Sequence, residues 1–245
     1  AGLTHLAKMP HLRRLTLGEG HFTEEGLEHV SKIQGLVWLH VYGWNGLNDE
    51  SLRHLSSLVN LNRLSLGRSR RLTGASLIHL TGLSQLRRLE LREIPVDPEN
   101  LVHIRPLSNL EVLSIKKTNL TDEGLANVAG LGELSDIDVS RTEVSDEALA
   151  TLARLHGLTQ IDLSGTHVTD AGLVHLAGME NLVSLELANT SITDSGLVHL
   201  SQMKSIRQLN LSDTEVSDDG LHLLEQMSEL EALNLNRTDA STRGI

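Results

Sequence analysis

Apolar residues recur along the chain in two alternating rhythms. In residues 158–181 (LTQIDLSGTHVTDAGLVHLAGMEN), Leu158, Ile161 and Leu163 give an apolar opening and then strict alternation, which predicts a short strand with one buried face. Leu173, Leu176 and Met179 follow at spacings of three, which places them on one face of a helix. The same 24-residue pattern returns from Leu182 and from Ile206. Its frame extends backwards to Leu134, Leu110 and Leu86, then through 25-residue units from Leu61 and Leu36, and finally to a 24-residue unit from Leu12. A tenth unit opens at Leu230 and stops incomplete. Self-similarity at this period predicts a repeat architecture in which each unit buries its apolar face against its neighbours.

Between the two rhythms lies a Ser/Thr–Asp pair: Thr121–Asp122, Ser145–Asp146, Thr169–Asp170, Thr193–Asp194 and Ser217–Asp218. Either side chain can accept from the orphan N–H groups of a helix's first turn, and the aspartate also suits the positive end of its dipole. Position 15 of the unit is often glycine (Gly26, Gly124, Gly172, Gly196, Gly220). Inside a helix glycine costs roughly 1 kcal/mol against alanine, so its recurrence predicts a packing reason.

These residues resemble the leucine-rich-repeat family, with its L-x-x-L-x-L strand segment. The T/S-D-x-G-L-x-x-L pattern is similar to the variant in the cysteine-containing repeats of F-box proteins and in many bacterial proteins. The resemblance covers essentially the whole chain, with nine full units from Leu12 to Glu229. It implies an α/β solenoid with parallel strands on the concave face and helices on the convex face. Residues 1–245 read as a single array, with no linker or composition break. The family usually places Asn or Cys at position 9, where the side chain bonds neighbouring backbones. Here that row is Thr118, Thr142, Thr166, Thr190, Thr214 and Thr238, hydroxyls that can both donate and accept, and upstream it breaks down to Ile94, Ser69, Trp44 and Gly20. The chain begins and stops inside a unit, so a fragment of a longer array is expected, with Leu3, Leu6 and Ile245 as unsealed core positions.

Composition narrows the chemistry. Cysteine is absent, which excludes disulfides, thiolate zinc sites and thiol nucleophiles and leans toward the cytoplasm. No apolar run approaches the ~18 residues of a membrane span, so a soluble protein is expected. The net charge of −11 argues against a nucleic-acid coat. It is uneven: residues 1–117 hold 15 Lys/Arg against 11 Asp/Glu, a net of +4, and residues 118–245 hold 6 against 21, a net of −15.

Seven histidines (His5, His29, His54, His79, His103, His175, His199) share position 18, but no second ligand type accompanies them. Helices of adjacent units pack ~8–10 Å apart, too far to share an ion, so no metal or cofactor is expected there. Asp136 and Asp138 point to the open face of one strand, with Asp162 and Glu186 continuing the row on the next two. That row reads as a solvated acidic patch or a secondary docking site; a metal-dependent hydrolase at Asp136, Asp138 and Asp162 is the alternative.

The sharper signal lies upstream. Trp38, His40 and Tyr42 alternate along one strand, and the Trp38 column reads Arg14, Trp38, Arg63, Arg88, which predicts a guanidinium on either side of the indole. Arg92 and Lys116 lie nearby, and the exit loops add Arg68, Arg70 and Arg71. Outward aromatics among arginines are what binding surfaces use. The expected function is therefore non-catalytic recognition of a protein or peptide on the concave face, best suited to an acidic segment, with neither nucleic acid nor membrane as partner. A substrate-receptor arm of a ubiquitin-ligase-like assembly is a further alternative, its F-box lying outside this sequence.

Overall fold

The computed structural model describes residues 2–20, 23, 25–69 and 71–241. Arg70 of the exit loops and Ile245 of the expected unsealed end fall outside the described residues. The chain forms two compact units, Ala1–Asn119 and Leu120–Ile245. Among the described residues, ten parallel strands follow chain order, β1 to β5 in the first unit and β6 to β10 in the second.

In the first unit the strands are β1 (Arg14–Leu17), β2 (Trp38–Tyr42), β3 (Arg63–Gly67), β4 (Arg88–Arg92) and β5 (Val112–Ser114). Their register aligns Leu15, Leu39, Leu64, Leu89 and Leu113 in one column. The second unit repeats this with β6 (Asp136–Asp138), β7 (Gln160–Asp162), β8 (Ser184–Glu186), β9 (Gln208–Asn210) and β10 (Ala232–Asn234), aligning Ile137, Ile161, Leu185, Leu209 and Leu233. Except at the outer strands, these columns are buried. Alternation then sends the residues on either side to the opposite, open face of the sheet.

The layer behind the sheet departs from the expectation of one helix per unit. The first unit has an α-helix at α1 (Glu25–Val30) but 3₁₀ segments at Gly2–Lys8, Glu50–Ser57, Gly74–Leu80 and Pro98–Ile104. The second has α2 (Asp122–Leu125), α3 (Asp146–Leu152), α4 (Asp170–Leu173), α5 (Asp194–Leu200) and α6 (Asp218–Leu224), with a 3₁₀ segment at Ala126–Val128. Core residues three apart, such as Leu52, Leu55 and Leu58, fit the 3.0-residue period of a 3₁₀ turn, but the same spacing at Leu149, Leu152 and Leu155 accompanies an α-helix, so spacing admits both forms.

The Ser/Thr–Asp pair divides its labour. Thr169, Thr193 and Ser217 cap their own helices, accepting from Ala171, Ser195 and Asp219 N–H groups. The aspartates instead bond the following repeat. Asp146 accepts from Thr169 N and Oγ1 at 2.8 and 2.7 Å, Asp170 from Thr193 at 2.9 and 2.6 Å, and Asp194 from Ser217 at 2.8 and 2.6 Å. Position 15 explains itself here: a Cβ at Gly172, Gly196 or Gly220 would fall well inside van der Waals contact with the carboxylate of the preceding aspartate. Where Ala148 occupies that position, Asp122 still bonds Ser145, but Ser145 makes no side-chain bond to its own helix.

The threonine row behaves differently from the family's Asn row. Thr142, Thr166, Thr190 and Thr214 each donate to the carbonyl three residues earlier, at 2.6 Å, and so close a turn within their own unit. Trp44 takes that place in the Leu36 unit. It is 0% exposed, and its indole packs over Gly26, where a Cβ would sit 2.8 Å from the ring. Of the two tryptophans, only Trp38 belongs to the open face.

Candidate functional site

On the open face of the first unit, parallel pairing stacks three rows. Arg14, Trp38, Arg63 and Arg88 form the first, with Val112 beyond. Thr16, His40, Ser65, Glu90 and Ser114 form the second, and Tyr42, Gly67 and Arg92 the third. The expected residues are thus brought together, with Lys116 following β5.

Their contacts correct the expectation in one respect. The Arg14 guanidinium lies 5.7 Å from the Trp38 ring centroid, but among the described residues Arg63 does not cover the other side of the indole. Several of the neighbouring arginines are paired. Glu90 Oε1 accepts from Arg88 at 3.4 Å, and Glu90 Oε2 lies 3.5 Å from Arg92 and accepts from Ser65 Oγ at 3.1 Å. Arg87 pairs with Glu111, while Arg68 and Lys117 both pair with Glu93. Burial alone would raise the Glu93 carboxyl, yet the bonds and charges of Lys117 and Arg68 hold it below its ordinary value.

Tyr42 is fixed from two sides. Its ring lies nearly parallel to His40, 9° between planes at 6.3 Å, and the Arg68 guanidinium sits 5.7 Å from its centroid. Gly67 makes room for it, since a Cβ there would approach Tyr42 Cδ2 to 3.0 Å. Two depressions flank this ridge. One, of 170 Å³, is lined by Trp38, His40, Arg63, Ser65, Arg88 and Glu90. The other, of 1060 Å³, runs among Glu19, Asn45, Arg68, Arg71 and Glu93. Glu90 and Ser65 were absent from the expected set. The RLELR run of β4 carried the signal, because residues two apart on a strand share a face.

In the second unit Asp138, Asp162 and Glu186 are in register, with Asp136 beside Gln160. Asp138 Oδ1 accepts from Ser140 N and Oγ, Asp162 Oδ1 from Ser164 N, and Glu186 Oε2 from Asn210 Nδ2 on the next strand. Among the described residues, no group of three or more His, Asp or Glu is arranged to hold a metal ion. Asn210 Oδ1 accepts from Ser212 N as Asp162 does from Ser164, without the charge. The double substitution Asp138→Asn/Asp162→Asn is therefore expected to keep the strand-exit bonds, relieve like-charge stacking and stabilise by about 0.5–1 kcal/mol, read as a higher Tm at low salt. A lower Tm would show that the carboxylates hold the turn through their charge.

A family model described as Leucine Rich repeat matches residues 107–129, 156–177, 178–201 and 202–224, in frame with the structural units. The chain is a leucine-rich-repeat solenoid. Among solved structures it is similar to an internalin (inlF) from Listeria monocytogenes, at 20% identity and a TM-score of 0.75, over 96% of this chain and 64% of that one. The solenoid thus spans somewhat less than two thirds of the internalin it matches. It is also similar to internalin C2 from the same organism, at 23% identity and 0.67 over 88% and 84% of the chains. A third similar structure is the TLR13–ssRNA13 complex, at 19% identity and 0.67 over 96% and 37%. No curated protein matches the sequence. Leucine-rich-repeat proteins are typically non-enzymatic interaction modules. Among the described residues, no helix of this solenoid is long and apolar enough to cross a membrane.

Proposed function

We propose that this solenoid is a non-catalytic recognition module that takes a protein or peptide segment on the open face of its first unit, with an acidic residue of that segment against Arg63. One observation carries the reading. The 170 Å³ depression is walled by the Trp38 indole and by Arg63, the arginine of that pocket that has no acidic partner among the described residues. An amphipathic ring beside an available planar fork of donors suits an extended segment bearing a carboxylate. The partner of the TLR13 structure is a single-stranded RNA, and stacked aromatics beside arginines could serve the same chemistry. A peptide is favoured because Glu90 stands inside the pocket and the chain carries −11, both unfavourable to a phosphate backbone. The cytoplasmic setting belongs to the same proposal and rests on the absence of cysteine. Neither the ligase-arm reading nor the hydrolase reading draws support from these contacts.

Panning a random 12-mer peptide library and a random single-stranded RNA pool against the immobilised protein tests this. Enrichment of acidic peptides is expected. Trp38→Ala or Arg63→Ala should weaken the enriched peptides about 30-fold, the equivalent of roughly 2 kcal/mol, while preserving the circular dichroism spectrum. Enrichment of RNA alone, or variants that bind as well as wild type, would overturn the assignment.

A further inference from the structure

Arg63 and Arg88 are direct neighbours on adjacent parallel strands, and like charges so placed repel. Arg92 adds a third guanidinium four residues beyond Arg88, and two beyond Glu90, on the same face. Glu90 sits at the centre of this group. Its side chain is only 18% exposed, accepts hydrogen bonds from Arg88 at 3.4 Å and the Ser65 hydroxyl at 3.1 Å, and forms an ion pair with Arg92 at 3.5 Å. The carboxylate therefore occupies Arg88 and Arg92 from within and leaves Arg63 to an incoming ligand.

We infer that Glu90 sets the charge of the ligand, making the pocket selective for a singly charged carboxylate side chain over a phosphorylated one. This rests on the recognition proposed above. A carboxylate can take the Arg63 fork through two parallel bonds and touch nothing else. A phosphate monoester is bulkier and close to doubly charged at neutral pH, so its remaining oxygens reach toward Arg88 and meet the Glu90 carboxylate. Without Glu90, the same three guanidiniums would form an open cluster of the kind that prefers phosphate.

Three degenerate peptide libraries with a fixed central Glu, phosphoserine or Gln are passed over the immobilised protein, and retention is quantified by mass spectrometry. Wild type should retain the Glu library at least tenfold over the phosphoserine library. Glu90→Gln should shift that ratio toward phosphoserine by tenfold or more. Glu90→Ser provides a second variant, because Ser65 and Ser114 fill the same row on the flanking strands and the array already accommodates serine there. If both variants keep the wild-type ratio while Trp38→Ala loses both libraries, Glu90 has no such role and the recognition site stands. If wild type retains the Glu and Gln libraries equally, carboxylate recognition at Arg63 fails and this inference fails with it.

Discussion

Replacing Trp44 with alanine should destabilise the first unit by about 3–5 kcal/mol, whereas Trp38→Ala should cost about 1 kcal/mol or less. The two residues lie six apart in one repeat and carry the same side chain, yet their surroundings are opposite. Trp44 is completely buried over Gly26, so truncation leaves a ring-sized void between two repeats of the first unit. Trp38 stands on the open face with Arg14 above it, and its removal opens no cavity. The chain has only these two tryptophans, so each single variant reports the other. Emission from Trp38→Ala should be blue-shifted and from Trp44→Ala red-shifted. Urea unfolding followed by circular dichroism then gives the two stabilities. Equal losses would mean that Trp38 is a packing residue and would remove the basis for a recognition surface.

The second large effect concerns the bonds between repeats. Asp170→Ala should cost about 2–4 kcal/mol, because it deletes two charge-assisted bonds and removes the acceptor of the Thr193 N–H. Asp170→Asn keeps an acceptor for that N–H and should cost less than half as much. The neighbouring glycine supplies a coupling test. Gly196→Ala places a Cβ against the Asp170 carboxylate and should cost about 1–3 kcal/mol alone, but far less once Asp170 is alanine. A double-mutant cycle by chemical denaturation measures this, and strict additivity would show that the glycine answers to something other than the aspartate.

The parts of the fold that were legible in the sequence were those set by repetition. A period of 24 residues with apolar positions 1, 4 and 6 leaves a strand only one way to lie, and the observed leucine column follows it. The helical layer was less legible, since leucines spaced by three suit an α-helix and a 3₁₀ turn alike, and the difference appears only once packing selects the tighter coil. The aspartates were misjudged for a related reason. A carboxylate after a cap residue satisfies local rules so well that its real partner, 23 residues on, leaves no local trace. In the recognition surface, Trp38, Tyr42 and the arginines stand out against a chain poor in aromatics. Glu90 does not, because a single acid among arginines in a strand looks like charge balance until Arg88, Arg92 and Ser65 are seen converging on it.

The bonds from each aspartate to the next repeat all point the same way along the chain. Asp146 meets Thr169 as Asp170 meets Thr193 and Asp194 meets Ser217, so every repeat of this kind offers the same plug at its far side and the same socket at its near side. Excising residues 170–193 would bring Asp146 to a Ser/Thr–Asp junction of the same chemistry, and duplicating them would do likewise. The second unit is thus built so that unequal recombination between its own copies changes the length of the protein without creating a new kind of joint. Among the described residues the first unit makes this joint once, between Asp49 and Thr73, but its two 25-residue repeats and the buried Trp44 break the uniform spacing that would let its repeats be exchanged.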